Sequence, residues 1–424
     1  MTRSLADWLE YQQRQHPRAI ALGLDRVRAV AGRLALPRPA ARVVTVAGTN
    51  GKGSCVAMLE AMLREGGLRV GAYTSPHLLR YGERIRIEGR EADEASLVAA
   101  FEAIERARGD TPLTFFEYGT LAALLLFARA NLDVALLEVG LGGRLDAVNL
   151  VDADVALITA IGLDHQEWLG PDRESIGREK AGIMRSGRPA LVADPAPPQG
   201  VLAHAAAVGA ALWRVGSEWD FRVVGDGFLW RGRTVAETTF PLPPLAAPVQ
   251  VGNAAACLAV LEALGEGALI AGGFAARGLA ATRIPGRLQR LARRPDLYVD
   301  VAHNPQAAAA VAEWLATSPR RTLAVYGALA DKDVAGVIAA LAPQVAEWHL
   351  CGLHGASPRG LRAAETFNRG REALRGSVAA LHPDPAAALD AARREAQPED
   401  RILAFGSFHT VEAVIRAIGD GKAP

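Results

Sequence analysis

Gly48-Thr-Asn-Gly-Lys-Gly-Ser54 is the segment of this chain whose residue types and spacing point most directly to chemistry. It follows a short β-branched run, Arg42 to Ala47, and precedes an apolar-periodic stretch from Cys55 to Leu63 that reads as a helix closed by Gly66-Gly67. Backbone N–H groups in a glycine turn at a helix N-terminus form an anion site, and Lys52 can reach the outer phosphates of a bound nucleotide. The segment departs from the common phosphate loop: no glycine lies five residues before Gly51, and Gly53 separates Lys52 from Ser54. The plain alternative is an ordinary glycine-rich turn. Lysine itself is informative, since only Lys52, Lys180, Lys332 and Lys422 appear among 47 basic residues. A lysine that persists in an arginine-rich chain marks a place where a compact amine is needed, with chance as the alternative.

The elements that must position these residues alternate. Leu68 to Tyr73 reads as the next strand, completing strand–loop–helix–strand within a βαβ unit. Leu132 to Val139 and Ala153 to Thr159 are further buried strands, with a helix from Glu117 to Ala130 between polar loops. The segment 194–248, rich in Pro, Gly and Trp, reads as a small β-rich excursion before a helix resumes near Gly252. Gly272 to Pro285 reads as turn. Strands at Leu297 to Val301, Thr322 to Tyr326, Glu347 to Leu350 and Arg401 to Phe405 then build a second set. The expectation is an α/β protein: an N-terminal P-loop ATPase-type domain with a mainly parallel sheet, residues 1–284, and a smaller C-terminal Rossmann-like α/β domain, residues 285–424.

Composition excludes several classes. A chain of 424 residues exceeds one ordinary core. A formal charge of +1 gives no case for nucleic acid or an anionic membrane. Cys55, Cys257 and Cys351 are scattered and odd in number, which fits reduced thiols rather than a disulfide framework or zinc site. The start, Met1 to Trp8, is too polar for a signal peptide, and the apolar run Leu121 to Phe127 is too short to span a bilayer. A soluble, cytoplasmic protein is expected.

The short loop with its intervening glycine resembles the ATP-driven amide ligases that include the Mur peptidoglycan ligases, and specifically the folylpolyglutamate synthases. Further segments resemble that family's signatures in order along the chain: Thr74-Ser-Pro-His-Leu78, Phe116-Glu-Tyr-Gly-Thr120, Leu137 to Ala147, Leu163-Asp-His165, Ile176 to Gly182, Ile284 to Leu288, Asp300 to Pro305 and Gly406 to Thr410. The resemblance covers essentially the whole chain, including Leu5-Ala-Asp-Trp-Leu, and is nearest to the bifunctional bacterial branch.

It implies a ligase that joins L-glutamate to dihydropteroate and to reduced folates. ATP would activate the carboxylate as an acyl phosphate, with positioning and charge neutralisation carrying the catalysis. By resemblance, Thr49, Asn50, Gly51, Lys52, Gly53, Ser54, Asn253, Arg287 and Asp300 hold the nucleotide, and Ser75, Glu138 and His165 hold Mg²⁺. Lys180 stands where the family can carry a carboxylated lysine. Thr114, Phe116, Leu145, Asp146 and Ala147 match the pterin positions; His303 and Ser407, with Lys332, face the incoming glutamate. Lys52, Glu138, His165 and Lys180 are the expected catalytic group.

Each position has a bland reading beside it. Glu138 could pair with Arg144, and His165 could be a satisfied loop histidine. Lys180 could be a surface lysine paired with Glu179 or Glu174. Asn253, Arg287 and Asp300 could be a cap, a solvated arginine and a strand-end turn. Lys332 could sit in a solvated charge cluster, Asp146 could anchor its own loop, and Phe116 could simply be core. A Mur-type peptide ligase acting on a uridine nucleotide is disfavoured, because the phosphate loop begins by residue 48 and leaves little room for a preceding domain. An ATP-binding scaffold without ligase chemistry is the alternative outside enzymes. A monomer is expected, with substrates exchanged as small molecules and closure of the smaller domain protecting the acyl phosphate from water.

Overall fold

The computed structural model describes residues 3–18 and 20–420; Lys422 and the first two residues lie outside that range. The first sheet has eight strands: β1 (Ala40–Ala47), β2 (Val70–Tyr73), β3 (Ile85–Ile87), β4 (Arg90–Glu91), β5 (Leu132–Glu138), β6 (Val155–Ile158), β7 (Pro189–Val192) and β8 (Ala211–Arg214). Their order is β4-β3-β2-β5-β1-β6-β7-β8, and all pairings from β2 to β8 are parallel. Val43, Val44 and Val46 of central β1 are all fully buried, as expected for a strand covered on both faces. The helix Phe115–Arg129 buries nearly every residue from Glu117 to Phe127, which explains why its sequence is apolar all round rather than on one stripe.

The β-rich excursion is shorter than the sequence suggests. After helix Gln199–Val208, β8 extends the large sheet, and only β9 (Asp220–Val224), β10 (Gly227–Arg231) and β11 (Thr238–Pro241) form a separate antiparallel sheet. Ala-rich 199–208 is a helix whose glycines stand only at its edges, a pattern masked by the neighbouring prolines. Similarly, the expected turn at Gly272 to Pro285 contains the helix Phe274–Ala281. Gly273 is its left-handed N-cap, with φ of 73°, and Gly278 permits close packing on helix Lys52–Glu65. A Cβ at Gly278 would stand 2.5 Å from the Met62 Cα, so a residue read as a turn signal is a packing residue.

The second large sheet comprises β12 (Gln289–Ala292), β13 (Asp296–Asp300), β14 (Thr322–Tyr326), β15 (Glu347–Cys351), β16 (Val378–His382) and β17 (Arg401–Phe405). Its order is β12-β13-β17-β14-β15-β16, parallel except for β12. Two compact units result: residues 1–162, 166–244 and 251–282 form one, and 163–165, 245–250 and 283–424 the other. Among the described residues no helix is long and apolar enough to cross a membrane.

Candidate active site

In the first unit, β1 runs into the glycine loop and the loop into helix Lys52–Glu65. Two glycines are compulsory here. A Cβ on Gly48 would lie 1.7 Å from Thr159 Oγ1, and Gly51 combines φ of +89° with a Cβ position 2.8 Å from Asn253 Oδ1. The loop is pinned from the side by the chain after β6: Thr49 N–H donates to the Ala160 carbonyl at 2.7 Å, and Thr159 Oγ1 donates to the Asn50 carbonyl at 2.6 Å. Thr49 Oγ1 also exchanges hydrogen bonds with Gly162. Lys52 Nζ donates to the Gly48 and Thr49 carbonyls, at 2.9 and 3.2 Å, so the ammonium lies over the loop. Ser54 is buried in the first turn of the helix.

Glu138 ends β5 directly beside β1, in register with Val46. Its side chain is 4% exposed, and its Oε2 accepts from the Ser75 N–H at 3.2 Å. The same oxygen would stand 3.5 Å from a Cβ on Gly53. Thus Lys52, Gly53, Ser75 and Glu138 converge at the C-terminal edge of the parallel strands. Arg144 is taken by Glu179 at 2.8 Å and is half exposed, so the bland pairing proposed for Glu138 is occupied elsewhere. A buried carboxylate beside a phosphate loop and a serine fits a hard divalent cation.

Lys180, in the last turn of helix Arg173–Ala181, is 3% exposed. That burial rules out a surface lysine; Glu179 pairs with Arg144, and Glu174 accepts from the Gln199 and Gly200 N–H groups.

Near the pterin positions, Thr114 caps helix Phe115–Arg129 through a reciprocal box with Glu117. Phe116 is half-buried, 5.9 Å from the Tyr73 ring, and its ring edge would stand 2.7 Å from a Cβ on Gly140. Asp146 is buried; its oxygens accept from the Leu141 and Val148 N–H groups at 2.8 and 3.1 Å, so it anchors the loop that carries Leu145 and Ala147. Burial pushes its carboxyl up to about 7, against those hydrogen bonds. Arg84, which the sequence did not single out, lies 5.4 and 5.3 Å over the Tyr81 and Phe115 rings and donates to His77 Nδ1 at 2.8 Å.

The second unit holds a charged cluster centred on Asp164, also not singled out. Asp164 lies 2.7 Å from Lys332 Nζ and 3.4 Å from His303 Nε2, and accepts from Asn304 Nδ2 at 3.3 Å. Burial works to raise its carboxyl, but His303, His165 and Lys332 together hold it well below the usual range. Lys332 is therefore a buried ion-pair lysine rather than a solvated charge. His165, at φ of 52°, has Nε2 3.5 Å from Lys332 Nζ. Burial first, with Lys332 and His303 also acting, lowers it to about 4, which leaves a neutral imidazole suited to ligate metal. Asp300 accepts from the Leu288 and Ala302 N–H groups at 2.8 and 2.7 Å, the geometry of a strand-end turn. Arg287 stacks 5.6 Å from the Phe408 ring. Ser407 accepts from the Thr410 N–H at 3.0 Å and caps the last helix, Phe408–Asp420.

A phosphate loop on a parallel sheet, backed by a buried carboxylate and followed by a Rossmann-like unit with a cationic cluster at its strand ends, defines an ATP-driven amide ligase of the Mur type. Residues 46–194 match the family model for the Mur ligase middle domain, and residues 286–408 that for the Mur ligase glutamate ligase domain. The dihydrofolate synthase/folylpolyglutamate synthase of Escherichia coli is 47% identical, over 98% of this chain and 95% of that protein. The solved E. coli FolC complex with DHPP and ADP superposes with a TM-score of 0.92 at 45% identity, covering 99% of each chain. A bifunctional folylpolyglutamate synthase/dihydrofolate synthase with Mn, AMPPNP and L-glutamate bound gives 0.89 at 46% identity, covering 99% of this chain and 98% of that one. The chain belongs to the dihydrofolate synthase/folylpolyglutamate synthase family and is an ATP-dependent ligase forming carbon–nitrogen bonds.

Proposed function

We propose that this ligase adds L-glutamate to dihydropteroate, forming dihydrofolate, and to reduced folates, extending their glutamate tails, and that it works in the cytoplasm. The observation that carries the reading is the buried Glu138 carboxylate set against Gly53 of the phosphate loop and the Ser75 backbone. Loop N–H groups and Lys52 hold the nucleotide phosphates, with Asn253 closing over Gly51. Ser75 and Glu138 are assigned to the metal; bound Mg²⁺ would neutralise phosphate charge.

The acceptor carboxylate attacks the terminal phosphorus, ADP leaves, and an acyl phosphate forms. The glutamate amine then attacks the acyl carbon, and inorganic phosphate leaves with the amide formed. No protein nucleophile is required, so the side chains act by position and charge. Asp164 holds Lys332 and His303 where a glutamate carboxylate would be received, while Phe116 and the loop anchored by Asp146 flank the pterin. Arg287 and Asp300 are assigned to the nucleotide, with Asp300 acting chiefly through the turn that it anchors.

Lys180 is assigned as a carboxylated lysine. A primary amine can add carbon dioxide to form a carbamate, which an arginine at this buried position could not. Intact mass under mild, bicarbonate-containing conditions tests this: an unmodified mass throughout would remove the assignment.

The deciding experiment is ADP release with L-glutamate and either dihydropteroate or a reduced folate, with product masses. Glutamate-dependent turnover of both is expected. Turnover of one restricts the chain to one activity, and turnover of neither by nucleotide-binding protein would overturn the reading.

A further inference from the structure

The second unit carries another cluster with ligand chemistry, at the opposite edge of its sheet from His303 and Ser407. Those two residues follow the C-terminal ends of β13 and β17, whereas Glu347 is the first residue of β15, which runs parallel to them. Glu347 and His349 are two apart on β15 and share a face. Glu395 is the last residue of helix Pro385–Glu395, which packs on that strand. One ligand atom from each of the three residues lies within 4.8 Å of the other two.

A cluster of acids would mean little without the histidine. His349 is 1% exposed, and its Nε2 has no hydrogen-bond partner; Glu395 Oε2 stands 3.6 Å away, beyond hydrogen-bond reach. The other ring nitrogen, Nδ1, lies 3.1 Å from His382 Nε2. When Nδ1–H donates to His382, the Nε2 lone pair faces two carboxylates. Three acceptors then surround one point, and a cation relieves their repulsion. Arg321 meets Glu347 Oε1 at 2.5 Å and keeps that carboxylate ionised. Glu395 is pushed the other way, by burial first and then by Glu347.

We propose that Glu347, His349 and Glu395 bind one divalent first-row transition-metal ion of the zinc type, with His382 orienting the His349 ring and water completing the shell. One buried imidazole and two carboxylates, with a hydrogen-bonded second nitrogen, form a ligand set suited to zinc. The ion ties the end of the 385–395 helix to the start of β15 and is separate from the ion that serves ATP.

The test uses the full chain, stripped of metal and free of nucleotide. Zinc is titrated in competition with a chromophoric chelator, and cobalt(II) is added separately to read the ligand set from its visible spectrum. About one tight equivalent is expected for wild type. Glu395→Gln, at a half-exposed position, and His349→Gln should each weaken binding at least about tenfold, and His382→Ala by about ten- to a hundredfold. Glu138→Gln should leave binding unchanged, and Glu395→Gln should keep wild-type ligase activity, showing that its fold is intact. No tight zinc in wild type, undiminished zinc in Glu395→Gln, or zinc lost with Glu138→Gln would each overturn the proposal.

Discussion

The phosphate loop at Gly48–Ser54 and the cluster around Asp164 are charged sites of opposite construction. The loop is built from backbone. Its donors are N–H groups, and its shape depends on glycines whose Cβ positions are already filled by Thr159 and Asn253. The cluster is built from side chains: Asp164 reaches Lys332 and Asn304, 168 and 140 residues away in sequence. A backbone site is vulnerable to added bulk, because its glycines' Cβ positions are already occupied by neighbouring side chains. A side-chain site is vulnerable to a lost charge, because the partner is left buried and unpaired.

The largest effect should come from the one side chain that the backbone site needs. Lys52→Met should lower kcat/KM about 10²- to 10³-fold in glutamate-dependent ADP release, with little change in thermal stability. Near-normal turnover would mean that the loop's N–H groups hold the nucleotide without it.

Asp164→Ala should reverse that balance, costing about 3 kcal/mol of stability in denaturant unfolding as well as raising the KM for glutamate. A variant as stable as wild type would show that Lys332 and His303 are held by other contacts.

Gly48→Ala adds a single methyl group and should cost about 1–3 kcal/mol with weakened ADP binding by calorimetry. If it binds ADP normally, the loop is more pliant than its packing indicates.

The effect read only as a slope with pH concerns Asp146, whose carboxyl burial raises from an ordinary 3.8 to about 7. Between those values the folded chain binds more protons than the unfolded one, so this group's contribution declines as pH rises through the window. Thermal unfolding of wild type minus Asp146→Asn should show that slope; parallel curves would place Asp146 as an ordinary ionised cap.

Legibility in the sequence followed the same division. The loop was visible because strand, glycines, lysine and helix are contiguous, and local backbone demands are written in local residue types. Glu138 was visible as a charge ending an apolar strand. Asp164 stands within a recognisable motif, yet nothing within ten residues of it announces Lys332. Arg84 was missed for the same reason: its partners are two aromatic rings brought alongside by folding. Gly272 and Gly273 misled, because a glycine can signal a turn, cap a helix or admit a neighbour, and only the neighbour distinguishes these uses.

From sequence alone came the alternation of strands and helices, the phosphate loop, and the family that the ordered motifs resemble, all of which depend on periodicity and contiguous residue types. The three-dimensional fold decided which carboxylates and amines face one another, that Lys180 and Lys332 are buried, and that Asp300, Asp146 and Ser407 spend their oxygens on backbone N–H groups. Those outcomes depend on distances between segments far apart in the chain, and burial then sets what each charge costs and which partner it must keep.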